Sequence, residues 1–169
     1  MKNISKLIML TVMLTSMVFL TSCSSDDDEI VIAQSQFAFN GQTISTPSGY
    51  DLFQASTSEI AFFTRGISYD IVKNGGNVTG SLVLINKVPR DANGNIMTGT
   101  YNIGDDDATI VINGDFNSEE DLRNKSISAE SGIAVIRKSE NEYTIDYNLN
   151  LGNNRSAIGT YIGTLESRR

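Results

Sequence analysis

The chain has 169 residues, contains no His, no Trp and a single Cys, and carries a formal charge of −7. Without His it cannot form a Ser-His-Asp or Cys-His catalytic system or a His-ligated metal site. One Cys permits neither an intrachain disulfide nor a thiolate zinc cluster. An acidic chain also lacks the basic surface of a nucleic-acid-binding protein, so we expect no nucleic-acid partner.

The first 22 residues have the organisation of a secretory signal. Lys2 and Lys6 precede a nearly continuous apolar stretch that runs from residue 7 to residue 20. As a helix with a rise of about 1.5 Å per residue, this stretch would span roughly 21 Å, less than the about 30 Å hydrocarbon core of a membrane. A charged start, a short apolar middle and small residues after it predict a signal peptide helix over residues 1–22.

The end of this segment, Leu20-Thr21-Ser22-Cys23, resembles the bacterial lipobox. In lipoproteins with this motif, the Cys thiol receives a diacylglyceryl group and a dedicated peptidase cuts before the Cys. The resemblance implies cleavage between Ser22 and Cys23 and lipid attachment at Cys23. Lipidation of the thiol would also remove the risk of mispairing that a lone Cys carries in an oxidising compartment. Two or more acyl chains anchor a protein stably, whereas one chain binds only marginally.

An acidic run follows the predicted lipid-attachment site, in the segment Ser25, Asp26, Asp27, Asp28 and Glu29. The run resembles the export signal of Bacteroidota surface lipoproteins, in which acidic residues beside the lipidated Cys route the protein to the outer face. The same charges would keep a tether extended by self-repulsion. We therefore expect an acidic tether over residues 23–33 of a lipid-anchored outer-membrane protein, at the cell surface or at the periplasmic face.

Residues 34–169 have the apolar period of two and the frequent turn signals of a single β domain. Phe37 and Phe39 begin the first strand, and Asn40-Gly41 is typical of a type I′ hairpin turn. The segment Leu82–Ile85 is apolar at every position, which indicates a strand covered on both faces or one near a closed edge. The other predicted strands lie around Ile44, Ile60–Phe63, Ile67–Ile71, Tyr101–Ile103, Ala108–Ile112, Tyr143–Leu151 and Ala157–Leu165.

One segment breaks this period and favours a helix. Ser118 resembles a helix N-cap, acids follow it at residues 119–121, and Arg123 and Lys125 suit a last turn. The alternative is an acidic surface loop. About nine or ten strands with one short helix predict an all-β fold, either an antiparallel β-sandwich or a lipocalin/calycin-like β-barrel. Glycines within the strands favour a curved, barrel-like sheet.

Two groups of oxygen-bearing side chains suggest a cation site, but neither matches a calcium loop. In Asp91–Asn95, counted from Asp91, Gly falls at position 4 rather than 6, and position 12 is Asn102 rather than Glu. The second group is Asp105-Asp106-Asp107, whose neighbouring side chains would point in different directions in an extended chain. We interpret the first segment as a hairpin turn and predict no metal site at either segment.

The sequence gives little support to catalysis. Glycoside hydrolysis needs two carboxyl groups about 5–10 Å apart, but Asp70 and Asp146 alternate with apolar residues and are expected to face solvent. No Ser-x-x-Lys motif is present. We therefore expect no enzyme activity and no cofactor.

Binding is the class of function that the sequence favours. Six Tyr and seven Phe supply rings that stack on sugars or line apolar pockets, although core packing accounts for most such residues. We expect a surface-exposed outer-membrane lipoprotein whose β domain binds an envelope protein or a glycan. The alternative is a carrier of a lipid or small apolar ligand inside a β-barrel, and a third hypothesis is a structural role in the envelope.

Overall fold

The computed structural model describes residues 34–54 and 56–168. The predicted signal, Cys23 and the acidic run at residues 25–29 therefore lie outside the described residues. In the described part, twelve strands form two six-stranded sheets and two short helices join strands of the second sheet. The all-β prediction is confirmed, and the architecture is a sandwich, since the described strands form two separate sheets and not one closed barrel.

The first sheet, called sheet A, consists of β1 Gln36–Phe39, β2 Gln42–Ser45, β6 Gly99–Ile103, β9 Ser131–Ser139, β10 Glu142–Asn150 and β11 Ser156–Gly163. Its strand order is β2-β1-β11-β10-β9-β6, and all pairs are antiparallel. Asn40 and Gly41, between β1 and β2, have φ angles of 48° and 74°. Both central residues thus have the positive φ that the predicted type I′ turn requires.

The second sheet, called sheet B, consists of β3 Ser48–Gln54, β4 Thr57–Phe63, β5 Thr79–Pro89, β7 Ala108–Asp115, β8 Ser126–Ser128 and β12 Glu166–Arg168. Its strand order is β12-β3-β4-β5-β7-β8, and only the pair of β12 with β3 is parallel. The longest strand, β5, has hydrogen-bonded neighbours on both sides. This position agrees with the predicted burial of its Leu82–Ile85 segment on both faces.

Helix α2, Glu119–Lys125, confirms the helix predicted after Ser118. The Ser118 Oγ accepts a hydrogen bond from the Asp121 N–H at 3.1 Å, as an N-cap does. Among the described residues, no helix is both long enough and apolar enough to cross a membrane.

Helix α1, Tyr69–Lys73, corrects the sequence analysis, because the strand predicted over Ile67–Ile71 is wrong. The Ser68 Oγ accepts a hydrogen bond from the Ile71 N–H at 3.3 Å and caps the first turn. Gly75, with φ of 70°, follows the helix end and turns the chain back toward β5. The alternation of apolar and polar residues covers only five positions, and the helix start signal at Ser68 and the stop signal at Gly75 prevail over it.

The main core lies between the two sheets, and its centre is a stack of three rings. The Phe62 ring of β4 stacks on Tyr161 of β11 at 4.7 Å and on Tyr147 of β10 at 5.8 Å between centroids. Gly159 leaves room for Tyr147 and Gly49 leaves room for Tyr161, because a Cβ at either position would overlap the ring. Burial raises the pKa of Tyr161 to about 12 and raises the pKa of Tyr147 well above its ordinary value.

A buried ion pair joins β3 to the chain that follows β5. Asp51 on β3 bonds to Arg90, which follows β5, and their side chains are only 11% and 7% exposed. Arg90 also donates to the Gly94 carbonyl, and its guanidinium carbon lies 4.5 Å from the centroid of the Phe53 ring. Arg90 therefore holds the loop after β5 against the end of β3.

Candidate functional site

A second apolar cluster covers the face of sheet B that points away from sheet A. In β5, Val83 and Ile85 point into the main core, whereas Leu82 and Leu84 belong to the second cluster. The buried members of this cluster are Tyr50, Ala61, Phe63, Ile67 and Phe116. Sheet B is thus apolar on both faces, and its outer face needs a cover other than the opposite sheet.

The cover is incomplete and leaves a groove of about 250 Å³, which we call the outer groove. Its floor comes from four neighbouring strands and is lined by Leu52, Glu59, Ala61, Phe63, Leu82, Leu84 and Val111. Its walls come from the two helices and the chain beside α2, and are lined by Tyr69, Val72, Phe116, Leu122 and Ser126. Apart from the Tyr69 hydroxyl, Glu59 and Ser126 supply the only polar side chains of this lining.

Local sequence explains the shape of the outer groove. Ala61 lies opposite Tyr50 and Leu84 in the strand register, so a methyl group stands between two large side chains at the centre of the floor. Tyr69 and Val72 are three residues apart on α1 and therefore share one face of the helix. Both are partly buried against the second cluster. Short helices on either side of a small central residue leave apolar surface uncovered.

Two acidic side chains on the helices beside the groove are already engaged. Asp70 of α1 pairs with Arg168 of β12 at 2.7 Å. Asp121 of α2 accepts the Asp115 N–H at 2.7 Å, which lowers the pKa of its carboxyl, and it lies 3.4 Å from the Lys125 ammonium.

Two further charged groups are Glu59, which lines the floor of the groove, and Lys73, which lies beside the lining residue Tyr69. The Glu59 carboxylate accepts a hydrogen bond from the Gln54 amide. The Lys73 Nζ lies 5.9 Å from the centroid of the Tyr69 ring, and within the described ranges Lys73 has no ion pair. An unpaired ammonium thus stands beside an aromatic wall of the groove.

Both segments considered as cation sites are turns, as interpreted for Asp91–Asn95. The Asp91 carboxylate accepts the N–H groups of Asn93 and Asn95 at 2.8 and 2.9 Å, and the bond from Asn95 is the main reason for the lowered pKa of Asp91. In Asp105–Asp107, the Asp107 carboxylate pairs with Lys87. In the part of the chain that the structure describes, no three His, Cys, Asp or Glu residues are grouped to hold a metal ion.

The two acids weighed for catalysis lie on different elements. Asp70 stands on α1 rather than on the predicted strand, whereas Asp146 stands on the outer face of sheet A. Both point to solvent, as expected, with side chains that are 56% and 39% exposed. Each carboxylate is occupied, Asp70 by Arg168 and Asp146 by Arg137 and the Thr160 hydroxyl. The structure does not bring them together in one cleft.

Sequence reasoning did not identify the outer groove as a site, although one signal for it was present. The runs Ile60–Phe63 and Leu82–Ile85 place apolar side chains on the outer face of two neighbouring strands. No family model matches the chain, no curated protein matches it, and no solved structure matches it. The geometry of the outer groove is therefore the basis for an assignment of function.

Proposed function

We propose that this protein is a non-enzymatic, lipid-anchored binding protein at the surface of the outer membrane, and that the outer groove is its binding site. The observation that carries this proposal is the groove itself, about 250 Å³ of space with an almost entirely apolar lining on an outside face of the domain. Concave apolar sites with few polar groups are the usual places where proteins bind small ligands or apolar parts of partners.

The apolar lining favours an apolar group over a glycan as the bound species. A sugar presents many hydroxyls, and each one that is buried without a hydrogen bond costs free energy. The side chains of Ala61, Leu82 and Leu84 offer no donor or acceptor, and Glu59 is the one polar residue on the floor. The alternative expected from sequence placed an apolar ligand inside a β-barrel. In a sandwich whose sheets meet in a filled core, such a ligand has its place on the outer face of sheet B instead.

The anchor is tested by replacing the predicted lipid-attachment residue. We expect cells fed a radioactive fatty acid to label the wild-type protein and not the Cys23→Ala variant, since the thiol is the acceptor. A Ser25→Ala variant serves as a matched control and is expected to keep its label. Undiminished labelling of Cys23→Ala would refute lipid anchoring at this residue.

The groove is tested in intact cells with a photo-crosslinking amino acid. We expect the reagent at Leu84, on the floor of the groove, to form a specific adduct with the bound species. The matched position is Ile158 on the outer face of sheet A, an aliphatic side chain that is 53% exposed and lies away from the groove. Mass spectrometry of the adducts distinguishes a small molecule from a protein. Identical adducts from both positions, or none from Leu84, would reject the outer groove as the binding site.

A further inference from the structure

We infer that the outer groove binds the alkyl chain of a single-chain anionic amphiphile, a molecule of the fatty-acid class, with its carboxylate beside Lys73. This inference rests on the proposed function and names the class of ligand. It depends on three properties of the groove: its size, the polarity of its lining and the charge at its rim.

The size of the groove fits one hydrocarbon chain. The volume of the groove is about 250 Å³, below the about 300 Å³ at which pockets for drug-sized ligands begin. A single alkyl chain of medium length is a ligand of this size. The groove is therefore too small to enclose a two-chain lipid or an amphipathic helix.

The lining selects a hydrocarbon for the buried part of the ligand. Ala61, Leu82 and Leu84 form the centre of the floor, and Val72 and Leu122 face them from the two helices. A polar group placed among these side chains would lose its water without gaining a hydrogen bond. A flexible saturated chain has no such requirement and adapts to a floor built from side chains of different lengths.

The charge beside the groove favours an anionic head group. Lys73 closes the last turn of α1 beside Tyr69, which lines the groove. Asp70, the acid on the same helix, is already paired with Arg168, so it does not neutralise the Lys73 ammonium. A carboxylate at this rim would gain a counter-charge, whereas a cationic head group would be repelled.

Calorimetric titration of the full-length mature chain tests the inference, with Cys23→Ala introduced to remove the predicted anchor's own acyl chains. The probes are decanoate, decyl maltoside and decyltrimethylammonium, each below its micelle concentration. We expect decanoate to bind most tightly and the cation most weakly. From hexanoate to decanoate the affinity is expected to rise about fourfold per methylene, the factor that corresponds to about 0.8 kcal/mol for each buried CH₂.

Variants locate the binding. Leu84→Glu is expected to weaken all three probes by at least about tenfold, because it puts a charge on the floor. Val72→Glu, on the exposed helix α1, makes the same test if Leu84→Glu does not fold. Lys73→Gln is expected to weaken decanoate by about three- to fivefold, as for an exposed ion pair, and to leave decyl maltoside unchanged. Lys138→Gln is the matched control, since Lys138 lies over the Tyr143 ring at 4.8 Å, away from the groove.

Three outcomes would overturn the inference: no binding of any probe, binding that survives both groove variants, or equal affinity for the three head groups. The failure of the inference and that of the proposed function are distinguishable. If the alkyl probes do not bind but a specific adduct still forms from Leu84 in cells, the groove binds an apolar group of another class. If the Leu84 adduct is also absent, the proposed function fails as well.

Discussion

Replacing Asp51 by Ala is expected to lower the free energy of unfolding by about 3–5 kcal/mol, the range for breaking one side of a buried ion pair. The substitution leaves Arg90 charged, and its side chain, 7% exposed, has little access to water. Arg90 also donates to the Gly94 carbonyl, so its movement toward solvent would release the loop that follows β5. The measurement is urea denaturation of wild type and variant. Their unfolding free energies are compared with the same slope of free energy against urea concentration.

An exposed ion pair in the same domain supplies the matched control. Asp146 and Arg137 pair on the outer face of sheet A, with side chains that are 39% and 58% exposed. Asp146→Ala is expected to cost no more than about 1 kcal/mol, because water solvates the remaining charge. The double variant Asp51→Leu/Arg90→Met, which removes both buried charges, is expected to recover much of the loss. Equal losses in Asp51→Ala and Asp146→Ala would contradict the role given to burial.

The same ion pair shows why the sequence did not reveal β3. Strand prediction depends on alternation, and Ser48–Gln54 places the charged Asp51 at a buried position. Its partner Arg90 is 39 residues away, so no local pattern shows that the charge is compensated. By contrast, β10 was predicted from residues 143–151, because its polar and apolar residues alternate strictly and it pairs with strands that adjoin it in sequence.

Helix α1 illustrates a conflict between two local patterns. Residues 67–71 alternate as a strand does, yet Ser68 is a good N-cap and Lys73 suits a last turn. The second cluster on sheet B decides between them, since Tyr69 and Val72 at helical spacing both reach its apolar surface. A sequence pattern of five residues does not contain that long-range contact.

The outer groove was predictable only in part. The apolar run Leu82–Ile85 correctly indicated that β5 is apolar on both faces. How completely the outer face is covered depends on where α1 and α2 come to lie, and on the single methyl group of Ala61 between Tyr50 and Leu84. The pair of Ala61 with Tyr50 connects β4 to β3, and the pair of Ala61 with Leu84 connects β4 to β5. Neither pair is visible in the sequence, because both depend on the strand register.

Phe62→Ala is expected to cost about 3–5 kcal/mol of unfolding free energy, the range for removing a buried aromatic side chain. Phe62 is fully buried, and its ring stacks on those of both Tyr147 and Tyr161. Neither ring can move into the vacated space at little cost. The Tyr161 hydroxyl donates to the Thr164 carbonyl at 2.6 Å, and the Tyr147 ring lies close against Gly159 of the neighbouring strand. The cavity therefore persists, and its surrounding atoms lose their contacts.

Two further substitutions distinguish two causes of lost stability, the cavity left by Phe62→Ala and the general effect of removing an apolar side chain. Phe62→Leu keeps most of the volume and is expected to cost less than about 1.5 kcal/mol. Ile158→Ala removes a side chain that is 53% exposed on sheet A and is expected to change stability by no more than about 0.5 kcal/mol. Urea denaturation followed by near-ultraviolet circular dichroism reports both stability and the packing of the two Tyr rings. If Phe62→Ala lost no more stability than Ile158→Ala, the three-ring stack would not be the centre of the core, because a filled core cannot lose a ring without a penalty.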